Sequence, residues 1–196
     1  EDKTSAGGRR WLEQHATPIS SWKDFESFPW PRSEDLSTAR LERLSLLLPD
    51  DMCIIGGLGA GFCESLCALF GYEKLCYALY DQRDLVQAVF DKVLALETSV
   101  WELMIQFDRM PILWHSDDMG FKTGPMLSPD DMEQLVLRGH RELTNLEKSA
   151  GKLSFLHACG NRSEILDALI DDVQIDALHS FEDIIEPVTD AKQKYG

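Results

Sequence analysis

The stretch Lys152-Leu153-Ser154-Phe155-Leu156-His157-Ala158-Cys159-Gly160-Asn161 decides how the chain is read. Leu153, Phe155 and Leu156 follow Gly151 as a short apolar run, the pattern of a buried strand. The strand ends in His157 and Cys159, and side chains two apart on a strand share a face. An imidazole and a thiol therefore aim at one volume just before the chain breaks at Gly160-Asn161. A borderline-soft metal such as zinc accepts both donor types. Taken alone, a His-x-Cys pair reads as a buried thiol beside a hydrogen-bonded core histidine. Its place at a strand end is what favours a functional pair.

Three other segments have the same form. Met52-Cys53-Ile54-Ile55 precedes Gly56-Gly57-Leu58-Gly59-Ala60-Gly61; Pro111-Ile112-Leu113-Trp114-His115 precedes Ser116-Asp117-Asp118-Met119-Gly120; Asp176-Ala177-Leu178-His179-Ser180 precedes Phe181-Glu182-Asp183. Between them lie helical patterns. One starts near Phe62 and stops at Gly71, and a long one spans Asp81 to Phe107, with Leu85, Val86, Val89, Phe90 and Val93 on its apolar face. Another opens at Ser128-Pro129, a cap followed by proline at the first helical position, and runs to about Ser149. Ser163 to Ile170 and a segment from Ile184 complete the set. Strand and helix in alternation predict an α/β fold with a parallel sheet. The polar residues collect at the C-terminal ends of the strands, where a (β/α) barrel builds its active site. A closed barrel of this kind has eight strands in about 250 residues, and this sequence supplies about half of them. The expectation is a TIM (β/α)8 barrel of which residues 49–196 form the central part. Residues 1–48 are read as an irregular, aromatic-rich arm (Trp11, Trp22, Phe25, Phe28, Trp30) with short helices, one of them over Ser37–Leu47. A chain of this extent is expected to be a piece of a longer protein and inactive by itself.

Charge and composition narrow the function. A net charge of −15 argues against nucleic acid or an anionic membrane as the main partner. No apolar run is long enough to span a bilayer and no signal peptide is visible, so a soluble, cytoplasmic protein is expected, acting on a small molecule. Self-association into a homo-oligomer is left open. The five cysteines are odd in number and mostly in apolar contexts, which suits reduced thiols; Cys63 and Cys67, four apart on one helix, read as core residues.

From Trp22 onward the sequence resembles the uroporphyrinogen decarboxylase superfamily of TIM barrels. The residues that carry the resemblance are Gly56-Gly57 with Ala60-Gly61-Phe62, His115-Ser116-Asp117-Asp118-Met119-Gly120, Leu127-Ser128-Pro129, His157-Ala158-Cys159-Gly160-Asn161 and Ser180-Phe181-Glu182-Asp183. The methyltransferase branch, which works with methylcobalamin, is the more similar. There, zinc is held by a His-x-Cys pair and a later cysteine, with an acidic residue on the following strand. The resemblance implies His157 and Cys159 as metal ligands and catalytic residues, Glu182 as a further ligand, and a last cysteine beyond Gly196. It implies zinc-assisted methyl transfer between a corrinoid, free or carried on a corrinoid protein, and a small thiol. The decarboxylase branch, acting on tetrapyrrole carboxylates without metal, is the alternative. Cys67 stands where that branch has a tyrosine, and Gly8-Arg9-Arg10 resembles its arginine motif but lies too close to Gly56. A non-catalytic barrel domain is the third reading.

Around the ligand pair, Gly56 and Gly57 are either a tight turn or a close approach to a ligand. Asp117 and Asp118 are either turn-capping residues or groups that support the metal ligands or touch substrate. His115 is expected to line the barrel, Asn161 to support the site or contact substrate, and His179 to be structural.

Overall fold

The computed structural model describes residues 17–57 and 61–196, so Gly8-Arg9-Arg10, Trp11 and Leu58-Gly59-Ala60 lie outside the described residues. Helices α1 (Trp22–Ser27) and α2 (Ala39–Leu47) precede the sheet. Strand β1 (Ile55–Gly57) leads into α3 (Phe62–Phe70), α4 (Tyr72–Asp81) and α5 (Arg83–Met104). After β2 (Ile112–Ser116) come α6 (Pro129–Asp131), a π-helical stretch Met132–Leu137 and α7 (Arg138–Ser149). After β3 (Leu153–His157) come α8 (Leu166–Ala168) and a second π-helical stretch, Leu169–Val173; β4 (Ala177–His179) is followed by α9 (Val188–Tyr195). The four strands are parallel and lie in sequence order. This is an α/β arrangement compatible with part of a TIM-like fold; the described residues form an open sheet rather than a closed barrel.

Local chemistry explains the element ends. Ser128 Oγ accepts the Asp131 N–H, with Pro129 at the first helical position, as the sequence predicts. Gly71, at φ +77, ends α3 and lets α4 start at once, which is why a helix occupies a stretch left unassigned in the sequence. The first strand also sits later than expected. Gly56 and Gly57 belong to β1 itself, because the ladder pairs Gly56 with Leu113 and Gly57 with Trp114.

On α5, the buried positions Leu85, Val86, Val89, Phe90, Val93, Leu94, Glu97, Trp101 and Met104 recur at helical spacing. Each large apolar one contributes about 1.5–3 kcal/mol by leaving water. They pack with α3 and α7 over one face of the sheet. The arm's Phe25, Phe28 and Trp30 meet edge to face and rest against this core.

Strand alternation then sets what each face carries. Along β2 and its extension, Leu113, His115, Asp117 and Met119 are buried, while Ile112, Trp114, Ser116 and Asp118 are half-buried. Along β3, Ser154, Leu156, Ala158 and Gly160 are buried; Phe155, His157 and Cys159 are not. The buried set faces the helices: His115 bonds Glu147 of α7, and Ser154 bonds Thr144 of α7. His115 therefore does not line the inner side of the sheet as expected. It has the parity of Leu113, opposite to that of Trp114, and so turns to the helix layer.

Candidate metal centre

The ligand pair sits where the strand ends are level. Register places Ser116 beside His157 and His157 beside His179. On the inner side of that row, Asp118, His157 and Cys159 offer one oxygen, one nitrogen and one sulfur, all within 4.8 Å of one another. His157 Nε2 lies 3.3 Å from Cys159 Sγ and 3.6 Å from Asp118 Oδ1. Asp118 Oδ1 also accepts the Cys159 N–H at 3.0 Å, which ties the β2 loop to the β3 end. All three residues are half-buried. Burial and the neighbouring carboxylates of Asp118 and Glu182 push the Cys159 thiol up from its ordinary range, against the pull of Ser180. A bound cation would displace that proton.

Glu182, expected from the resemblance as a ligand, stands outside this cluster. Its Oε1 accepts the Gly160 N–H at 3.1 Å. The carboxylate in the cluster is Asp118, from the neighbouring strand on the other side. Asp117, its chain neighbour, points the opposite way and is fully buried. Its Oδ2 and Oδ1 accept the N–H groups of Cys63 and Glu64 at 3.1 and 3.0 Å, and so it caps the start of α3. Its Oδ2 also faces His140 Nε2 at 2.8 Å. His140 Nδ1 meets His115 Nδ1 at 3.3 Å, and His115 Nε2 meets Glu147 Oε1 at 2.6 Å. Trp101 Nε1 donates to the same Glu147 oxygen, while Glu147 Oε2 has no partner among the described residues. Burial depresses the His140 pKa in spite of Asp117. This buried chain lies behind the sheet and anchors the Asp117-Asp118 corner from the helix side.

Gly56, Gly57 and Asn161 have structural work to do. A Cβ on Gly56 would lie 2.2 Å from Met110 Sδ, and one on Gly57 2.0 Å from the Trp114 carbonyl oxygen. Asn161 Oδ1 accepts from the Ser163 N–H and hydroxyl, closing a local turn. Gly160 has φ +84, and a Cβ there would meet the Gly120 oxygen at 1.9 Å, so only glycine lets the two loops touch beside Cys159.

Several contributors carry no motif of their own in the sequence. Arg162, buried, donates to the carbonyls of Ala158, Gly160 and Ser180, binding the ends of β3 and β4 into one unit. The Glu64 carboxyl is raised by burial and by Asp117 and Asp118. His179, read as structural, lies on the inner face against His157. Alternation alone would have separated Asp118 from Asp117 and His115. The partners of Asp117 come from distant segments and leave no local signal.

No protein-family model and no curated protein matches the sequence. Among solved structures, a methyltransferase from Methanosarcina mazei is similar, with a TM-score of 0.63 and 20% sequence identity. The match covers 80% of this chain and 44% of that one, so the chain spans less than half of that methyltransferase. The likeness is one of fold.

Proposed function

We propose that the chain is part of a metal-assisted methyltransferase whose ion is held by His157, Cys159 and Asp118. One observation carries this: nitrogen, sulfur and oxygen donors converge within 4.8 Å at the ends of two parallel strands. The donor set suits zinc, which takes imidazole, thiolate and carboxylate ligands and leaves a position open in reactive sites. Bound there, zinc would supply the charge that keeps an incoming thiol as a thiolate at neutral pH. In the transfer, the sulfur lone pair forms the S–CH3 bond, the electron pair of the donor–CH3 bond stays with the donor, and the thiol proton passes to solvent. A corrinoid, free or on a corrinoid protein, is the donor that the resemblance implies; the fold likeness to the Methanosarcina mazei methyltransferase supports methyl transfer alone. The chain's own part is to orient: Asp118 holds the Cys159 backbone, and Arg162 fixes the carbonyls on either side of Cys159. Zinc titration of the wild type against Cys159→Ser and His157→Ala tests the proposal. Stoichiometric binding lost in both variants supports it; equal binding in all three, or none in the wild type, contradicts it.

A further inference from the structure

We infer that His179 is a positioning residue for His157, setting which ring nitrogen is free to meet a metal; the inference rests on the metal reading above. The two residues face each other across the β3–β4 register. Their Nδ1 atoms are 2.7 Å apart, with ring centroids 4.9 Å apart and planes at 32°. Two ring nitrogens at that separation share one proton, because two lone pairs repel and two N–H groups collide. The other nitrogen of His157, Nε2, is the one aimed at Cys159 Sγ and Asp118 Oδ1. A nitrogen that binds a metal carries no proton. For Nε2 to meet a metal, a neutral His157 holds its proton on Nδ1 and donates it to Nδ1 of His179, which keeps its own proton on Nε2.

The surroundings of His179 suit that task. Trp114 packs on its ring, with centroids 5.5 Å apart, from the same inner face of the sheet. The next residue, Ser180, adopts φ 128, an unusual value for a side-chain-bearing residue, and its Oγ lies 3.6 Å from Cys159 Sγ. The end of β4 thus supports both ligands that β3 presents. Metal-bound histidines usually lean on a carboxylate or a carbonyl. An imidazole here orients the ring without adding negative charge to a site that already has Asp118.

Nitrogen-15 NMR of histidine side chains in the metal-free chain reads the tautomer directly, and zinc titration reads its consequence. The expected result is His157 protonated on Nδ1 in the wild type, a shift toward Nε2 protonation in His179→Leu, and zinc affinity lowered about 10–100-fold in that variant. His179→Gln, whose side-chain carbonyl can accept the same hydrogen bond, is expected to keep the tautomer and to bind within a few-fold of the wild type. Nε2 protonation of His157 in the wild type, or a tautomer unchanged in His179→Leu, overturns the inference. A wild type with the expected tautomer and no zinc affinity would overturn the metal reading while leaving the histidine pairing intact.

Discussion

At the scale of single residues, the site turns on which carboxylate faces the pair His157 and Cys159. The parity of β2 sends Asp117 to the helices and Asp118 to the inner side, and Glu182 is occupied with the Gly160 N–H. Asp118→Asn is therefore expected to weaken zinc binding more than Glu182→Gln, by about tenfold or more, as read by competition with a chelating dye. An equal loss in the two variants would return Glu182 to the ligand set. Gly160 gives a sharper test of geometry. With φ +84 and the Gly120 oxygen 1.9 Å from a would-be Cβ, Gly160→Ala must move one of the two loops. A loss of about 1–3 kcal/mol in denaturant unfolding is expected, together with weaker metal binding. A variant as stable as the wild type would mean the loops are not held together there.

At the scale of elements, α3 has no capping side chain of its own at Gly61 and borrows the Asp117 carboxylate from the β2 loop. Asp117→Ala is expected to cost about 2–4 kcal/mol in chemical denaturation, because it leaves two backbone N–H groups and a His140 ring nitrogen without their acceptor. Glu97, on α5, offers a pH test. Burial, reinforced by Asp117, raises its carboxyl to about 9. Between the ordinary glutamate range and that value the folded state holds a proton that the unfolded state has released. Its contribution is complete below about pH 4.5 and is lost as pH rises toward 9. Relative to Glu97→Gln, the wild type should lose stability at up to about 1.4 kcal/mol per pH unit across that window. Parallel melting curves for the two proteins from pH 5 to 8 would contradict this. The three later strands, the long helix and the Ser128 start were legible in the sequence because apolar periodicity and capping chemistry are local. So was the His157–Cys159 pairing. The α3 cap and the Arg162 clamp were harder to see, since the first joins segments more than fifty residues apart and the second closes only when β4 lies beside β3; the place of His115 needed strand alternation to be followed within β2.

At the scale of the molecule, helices cover one face of the sheet, and the other carries half-buried Trp114 and Phe155 one row beyond exposed Ile55 and Leu153. Such a face binds apolar probes. The 196-residue chain is expected to enhance the fluorescence of a hydrophobic dye, and Leu153→Lys should reduce that signal without lowering the melting temperature. An unchanged signal would place the dye elsewhere. The candidate metal centre lies at the C-terminal edge of this face, where Asp118, His157 and Cys159 meet. The most direct measurement is zinc K-edge X-ray absorption on the zinc-loaded chain. The structure predicts one sulfur in a shell otherwise of nitrogen and oxygen, with the sulfur contribution gone in Cys159→Ser. A shell without sulfur in the wild type, or a spectrum unaltered by that substitution, would contradict the account.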